Sequence, residues 1–331
     1  MLKRLFIISF FTGLGQAFSV WVLKTVARES SLEQTTGLAQ ADANLQLLLN
    51  IIALGLQSAA IRSIAVTENW QPIYRQTQSA RLTLGLILLP LVFIDLGNPA
   101  SLVFLIVPLL SLSGDYALYA TGRPIAGSIV AFLRGVIPYS IIILAVYFEP
   151  GAVVWAFIAG LFLSYLLTDM YISKLLGVPF FVRPDLRSLY LYLRSLLLGV
   201  VGISLYFIGL GLLLIIPYFY KEEVTVAFVA LKFYLIFKGV LRIIHQAFVK
   251  EMLNDITCLR VDELSMIGSV AFLGSVVIFP DSFISFFFGS QFLADREFFY
   301  LLAISAVVYS FVLSMTTRFL LEKIDKSYTL V

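Results

Sequence analysis

Four basic residues lie inside the largely apolar stretch Val224–Lys250, which ends on a fifth. Lys238, Arg242 and His245 are four and three residues apart, so an α-helix would place them on one face, with Lys232 on its flank. A cation in the middle of a bilayer costs at least about 2.5–3.5 kcal/mol and usually faces a bundle interior or a water-filled cavity. The spacing therefore predicts a cationic face that binds an anion.

A second set of charges lies in three apolar segments nearer the N-terminus. Arg134 is near the middle of its segment, and Asp115 and Asp169 lie in the segments before and after it. Arginine keeps its charge at essentially any pH. Two readings are open for Arg134: it lines a cavity, or it forms an ion pair with Asp115 or Asp169.

Neutral polar residues also recur at helical spacing. They are Gln16 in the first segment and Asn50 and Gln57 in the second. We expect them to line a cavity, with interhelical hydrogen bonding as the alternative. Arg62, at the end of the second segment, is expected to reach lipid headgroups or to join the cationic site.

The composition indicates a membrane protein. Of the 331 residues, 60% are hydrophobic and only 13% charged, whereas a soluble domain carries about 25% charged residues. The mean hydropathy is +0.97. A net charge of +3 is too small to favour a nucleic-acid partner, and one cysteine with one histidine argues against a Cys/His metal site.

Windows of about 20 apolar residues predict an all-α polytopic membrane protein with about ten transmembrane helices. The ten segments are Leu5–Leu23, Leu45–Ala65, Leu82–Leu96, Leu102–Ala120, Ile125–Phe148, Ala152–Ser173, Leu193–Tyr218, Val224–Val249, Leu264–Phe287 and Phe298–Leu320. The third and fourth are joined closely enough to form a tight hairpin. The polar stretches Lys24–Asn44 and Val66–Arg81 are predicted as loops or interfacial helices.

The basic residues predict the orientation. With the N-terminus in the cytoplasm, fourteen of the 23 Lys and Arg residues fall on the cytoplasmic side and four on the other. This asymmetry follows the positive-inside rule and requires an even number of spans. We therefore expect a multi-pass membrane protein with both termini in the cytoplasm; the resemblance described next implies the bacterial inner membrane.

Three stretches resemble one family of transporters. LLLNIIALGLQSAAIRSIAV (Leu47–Val66) resembles the second helix of bacterial polysaccharide repeat-unit flippases, and GRPIAGSIVAFLRGVIPYSIIILA (Gly122–Ala145) resembles their fifth. FFFGSQFLADREFFYLLAISAVVYSF (Phe286–Phe311) is similar to the segment that leads into their tenth helix. These flippases, which include the O-antigen (Wzx-type) flippases, belong to the multidrug/oligosaccharidyl-lipid/polysaccharide (MOP) exporter superfamily.

The resemblance implies two six-helix bundles around a central cationic cavity that opens alternately to each leaflet. The first bundle would be residues 1–186; the second, residues 187–331, would hold four helices where the family has six. The implied substrate is an undecaprenyl-pyrophosphate-linked oligosaccharide for O-antigen, capsule or exopolysaccharide. Arg134 and Arg62 match the family's helix patterns, whereas Lys238 and Arg242 rest on their spacing alone.

Flipping involves no covalent chemistry, so we expect no enzyme activity and no cofactor; the residues leave open whether H⁺ or Na⁺ couples transport. Other polysaccharide-assembly membrane proteins are candidate partners. Three other readings remain: an integral-membrane glycan polymerase or transferase, a cation-coupled multidrug exporter of the same superfamily, and a nonfunctional truncated flippase. The first would need a carboxylate pair at catalytic spacing, which the short outward loops do not supply.

Overall fold

The computed structural model describes residues 2–94, 97–208, 210–216, 224–248, 252, 255–287, 289–290, 293 and 296–321, and its regular elements are helices. The α-helices, numbered in chain order, are α1 (Leu2–Glu29), α2 (Leu32–Ala53), α3 (Leu56–Val66), α4 (Gln71–Leu88), α5 (Val107–Ser111), α6 (Asp115–Ala120), α7 (Pro124–Phe148), α8 (Val153–Leu176), α9 (Tyr190–Ile208), α10 (Val224–Phe248), α11 (Asp255–Ile278), α12 (Pro280–Phe287) and α13 (Arg296–Leu321). Short 3₁₀ segments cover Leu89–Ile94, Pro99–Ile106, Pro150–Ala152, Leu186–Leu189 and Leu210–Leu214.

The helices confirm a multi-pass membrane protein. Six described helical stretches are long and apolar enough to cross a bilayer, and α2 with α3 makes a seventh if the bent pair is one span. Each of the ten predicted segments overlaps a helix or a run of consecutive helices. The tight hairpin is also present, because the 3₁₀ segments Leu89–Ile94 and Pro99–Ile106 pack against each other. Asn98 begins the second arm, where its side chain accepts a hydrogen bond from the backbone N–H of Ala100.

The loop reading of the two polar stretches is wrong, because both are mostly helical; their other reading, as interfacial helices, stays a prediction. In the first, α1 continues to Glu29 and α2 begins at Leu32, with Ser31 accepting a hydrogen bond from the Gln34 N–H as the N-cap. In the second, α4 begins at Gln71 and continues into the apolar segment. The low hydropathy of these stretches did not predict their helices, because the residues that they bury against other helices are small or polar.

The second predicted helix is broken between α2 and α3, which meet at 51°. The break has positive φ at Leu54 (23°) and Gly55 (73°). The Tyr192 hydroxyl of α9 donates to the freed carbonyl of Ile52 at 2.7 Å. A Cβ on Gly55 would lie 2.2 Å from the Ser195 carbonyl oxygen, so both the backbone conformation and the close approach of α9 require glycine there.

Packing of α1, α7 and α8 positions the first set of charges. α7 packs extensively against both α1 and α8. A Cβ on Gly160 of α8 would lie 2.5 Å from the Cα of Pro138, so the absence of a side chain lets α7 and α8 approach closely. This contact brings the middle of α7, which carries Arg134, against the polar face of α8.

The second set of charges is carried by α10. This helix packs against α1, α2 and α13, and α13 packs in turn against α11. Val20 of α1 is buried in one apolar cluster with Val229 and Ala230 of α10 and Phe299 of α13. α1 therefore contacts both α7 and α10, the two helices that carry the predicted cations. The division into bundles 1–186 and 187–331 stays a prediction.

Candidate functional site

Arg134 is held in a network of ion pairs and hydrogen bonds inside the first part of the chain. Its Nη2 donates to Asp169 Oδ1 at 2.6 Å, and its Nη1 lies 3.5 Å from Asp115 Oδ2. Its Nε donates to the Thr168 hydroxyl at 3.0 Å. The guanidinium carbon also lies 4.2 Å from the centre of the Tyr165 ring. Arg134 therefore pairs with both aspartates that the sequence offered as alternatives, and its charge is offset.

Helix geometry explains how this network forms. Thr168 and Asp169 follow Tyr165 by three and four residues on α8, and all three are buried. Asp115 occupies the first turn of α6, where a carboxylate is favoured by the helix dipole, and its Oδ1 accepts a hydrogen bond from the Ser113 hydroxyl at 3.0 Å. The side chain of Asp169 is 2% exposed and that of Asp115 is 32% exposed, so the network is accessible from the Asp115 side.

A second buried arginine, Arg81, lies beside this network. Arg81 is 3% exposed, donates from Nη1 to the carbonyl of Ser113, and has its guanidinium 5.5 Å from the centre of the Tyr116 ring. The sequence pattern had placed Arg81 only at the end of the polar stretch Val66–Arg81. The missed signal is the spacing of Tyr74, Gln78 and Arg81, which places all three on one face of α4.

A buried carboxylate in α2 was also missed. Asp42 is 2% exposed and is followed by Ala43, whose carbonyl accepts a hydrogen bond from the Tyr206 hydroxyl of α9 at 3.0 Å. The sequence pattern had placed Asp42 in a polar stretch predicted as a loop or an interfacial helix. With Asp115 and Asp169, the described residues of α1–α8 thus hold three carboxylates that are buried or half-buried.

Lys238 and Arg242 occupy a different environment on α10. The Lys238 ammonium lies 4.4 Å from the ring centre of Tyr309 on α13 and 5.4 Å from that of Tyr234, one turn away. Lys238 is half-buried, and Arg242, one turn further on, is exposed. In the described part of the chain neither cation has an ion pair with a carboxylate. Aromatic rings attract a cation without cancelling its charge, so this face keeps a net positive charge.

The other predicted cations are placed differently. His245 is 1% exposed, and its Nε2 lies 3.0 Å from the Ser265 hydroxyl of α11. Because that hydroxyl donates to the Val261 carbonyl, it accepts from His245. Arg62 is half-buried on α3. The side chain of Lys232 lies outside the described part of the chain, although its backbone belongs to α10.

The predicted neutral polar residues are half-buried. The Asn50 side chain donates to the carbonyl of Gln46 in its own helix at 2.7 Å. Gln57 lies on α3, beyond the helix break, and the helical spacing that related it to Asn50 does not hold across the break. Gln16 lies on α1, which contacts both α7 and α10.

Comparison of the whole fold with solved structures identifies its class. The chain superposes on the MATE multidrug transporter DinF-BH with a TM-score of 0.72 at 13% identity, covering 99% of this chain and 85% of that one. An outward-facing multidrug resistance MATE family transporter of the MOP superfamily gives 0.61 at 15% identity, covering 99% and 84%. This chain has the MOP-transporter fold.

A third solved structure shows variation within that fold. A MOP superfamily transporter from Pyrococcus furiosus, for which a reversed polarity of the binding pocket suggests a different function, gives a TM-score of 0.60 at 13% identity, with 99% and 84% coverage. No family model matches the chain, and no curated protein matches it. The likeness to solved structures confirms the predicted fold class and leaves the substrate to be argued from the residues.

Proposed function

We propose that this chain flips an undecaprenyl-pyrophosphate-linked oligosaccharide across the bacterial inner membrane by alternating access, for the assembly of a surface polysaccharide. The observation that carries the proposal is the contrast between two sets of cations. Arg134 is offset by two carboxylates, whereas Lys238 and Arg242 have no carboxylate ion pair among the described residues. A transporter for a polyanion needs cations of the second set, whose charge is not already offset by carboxylates.

The chemistry of Lys238 and Arg242 suits pyrophosphate. Pyrophosphate is a compact polyanion, and a guanidinium binds phosphate oxygens bidentately, while an ammonium supplies a point charge with three donors. Arg242 is exposed and one turn from Lys238, so one phosphate group can contact both side chains. The tyrosines beside Lys238 offer hydroxyls and flat ring faces against which a sugar can pack.

The predicted orientation would favour uptake from the inner leaflet. With both termini in the cytoplasm, α10 runs from the outside inward and places Lys238 and Arg242 in its cytoplasmic half. Lipid-linked repeat units made on the cytoplasmic face would present their pyrophosphate at that depth. Flipping requires reorientation of helices around the bound headgroup and no covalent step, in keeping with a transporter that is not an enzyme.

The proposal is tested by replacing both cations. The full chain, with Lys238→Ala and Arg242→Ala together, is reconstituted in vesicles with a fluorescent polyprenyl-pyrophosphate oligosaccharide, and the lipid accessible from outside is measured. The matched control replaces two exposed basic residues elsewhere, Arg75→Ala with Arg187→Ala. We expect at least a tenfold fall in flipping rate for the first pair only. Equal rates for both pairs, with equal protein insertion, would overturn the site.

A second candidate function is cation-coupled multidrug export. It is favoured by the multidrug transporters that share the fold and by the carboxylates of Asp42, Asp115 and Asp169, which are the kind of group that binds H⁺ or Na⁺. Efflux of a cationic dye from vesicles under an imposed ion gradient separates the two. Dye efflux that is abolished by Asp42→Asn, without any lipid flipping, would replace the flippase proposal.

A further inference from the structure

An open groove lies between the beginning of α7 and the end of α8, apart from the sites described above. It has a volume of about 410 Å³. Its lining residues are mainly apolar, with one cation at the end: Gly122, Arg123, Pro124, Ile125, Ala126, Ile129, Tyr171 and Leu175. We infer that this groove binds an anionic phospholipid, with the phosphate at Arg123 and an acyl chain along the apolar wall.

The position of the groove on the helix pair points to lipid. The faces of α7 and α8 that meet each other are buried, whereas Leu167, Met170 and Tyr171 of α8 are 40–53% exposed and lie on its outer surface with the groove. Ile125 of α7 is 38% exposed. In a membrane-spanning helix pair, exposed apolar side chains on the outer surface face lipid. The apolar wall of the groove is therefore in contact with acyl chains.

Arg123 supplies a fixed positive charge at the mouth of the groove. Its Nη1 donates to the carbonyl of Leu175, in the last turn of α8, which holds the guanidinium in place. A guanidinium has five N–H donors, so most remain for a ligand. Arg123 is exposed, and Lys174, also exposed, lies in the same last turn of α8. Because the charged groups at this end of the groove are cationic, an anionic headgroup is preferred over a zwitterionic one.

The backbone at the groove mouth is open enough for a headgroup. Gly122 has a φ of 78°, and a Cβ built there would meet nothing within 4 Å. The turn Thr121–Arg123 is fixed by a hydrogen bond from the Arg123 N–H to the Leu118 carbonyl at 2.7 Å. The mouth is thus preformed, with space beside the guanidinium, and binding needs no rearrangement of the chain.

The test is lipid titration of the purified full chain in detergent, with bound lipid counted by native mass spectrometry. The probes are phosphatidylglycerol and phosphatidylcholine with identical acyl chains. We expect tighter binding of phosphatidylglycerol. Arg123→Gln, which keeps an amide donor for the Leu175 carbonyl, should weaken phosphatidylglycerol binding about fivefold and leave phosphatidylcholine unchanged, whereas Arg187→Gln, outside the groove, should change neither.

A second variant tests the apolar wall. Ile125→Trp fills the groove from an exposed position that tolerates a larger side chain, and it should lower the binding of both lipids. Equal affinity of wild-type protein for the two lipids would overturn the inference, as would wild-type binding by Arg123→Gln or Ile125→Trp. Displacement of phosphatidylglycerol by polyprenyl phosphate at tenfold lower concentration would assign the groove to the transported lipid instead.

Discussion

Removing the Arg134 side chain should destabilise the protein because it leaves two carboxylates in a buried site. Asp169 is hydrogen-bonded to Arg134 at 2.6 Å and its side chain is 2% exposed, so in the variant its charge stays in a buried site without its partner. Asp115 Oδ2 is 3.5 Å from Arg134 Nη1 and the Asp115 side chain is 32% exposed, so Asp115 loses less stabilisation than Asp169. In Arg134→Ala the main cost therefore comes from Asp169.

The size of the effect follows from the burial of the pair. Removing one partner of a buried ion pair costs about 3–5 kcal/mol, because the other charge stays buried without compensation. At roughly 2 °C per kcal/mol for a chain of this size, the apparent Tm should fall by about 6–10 °C. The double variant Arg134→Ala with Asp169→Asn removes the buried charge as well, so it should regain about half of the loss or more.

The measurement is thermal unfolding of the purified protein in detergent, for the single variants Arg134→Ala and Asp169→Asn and for their combination. A double-mutant cycle of this kind isolates the coupling between the two side chains. Membrane insertion, checked by extraction from the membrane fraction, should be unchanged. If Arg134→Ala has the wild-type Tm, or if Asp169→Asn gives no recovery in its background, the pair does not stabilise the fold as argued.

Two further variants probe the backbone break and a long-range contact. Gly55→Ala should lower the free energy of unfolding by at least about 1–3 kcal/mol, since φ is 73° and the new Cβ would lie 2.2 Å from the Ser195 carbonyl oxygen. The control Gly239→Ala, with open space around its Cβ, should be neutral or stabilising. Equal melting temperatures of the two variants would contradict this. Lys24→Met removes two hydrogen bonds, 3.1 and 3.5 Å long, from the Lys24 ammonium to carbonyls in the last turn of α12. The free energy of unfolding, measured by urea titration, should fall by about 0.3–1 kcal/mol. A fall above about 2 kcal/mol would contradict the role of Lys24 as a surface cap.

The fold class and most helices could be predicted from the sequence because lipid demands long apolar helices. The loop reading failed where apolarity was interrupted, at Lys24–Asn44 and Val66–Arg81. Most of each stretch is helical and carries small and polar residues that other helices bury. The break at Leu54–Gly55 was missed for a related reason: the hydropathy of the stretch continues through it, and only the approach of α9 makes the backbone conformation evident.

The candidate site was predicted in part. The shared face of Lys238 and Arg242 follows from helical spacing, and the pairing of Arg134 with an aspartate was one of its two readings. The buried position of Arg81 and Asp42 could not be predicted from hydropathy, because each lies in a polar stretch whose partners are distant in sequence. The contact of His245 with Ser265 could not be predicted either, because Ser265 lies on the next helix.

The sequence by itself determined that the chain is a bundle of membrane helices and which residues carry charge within it, since both depend on local composition and on a period of about 3.6 residues. Only the tertiary structure decided which charges are offset. Arg134 meets Asp115 and Asp169 because α6, α7 and α8 pack together, and Lys238 meets Tyr309 because α10 packs against α13. An ion pair depends on distances of a few ångströms between helices far apart in the chain, which no local pattern specifies.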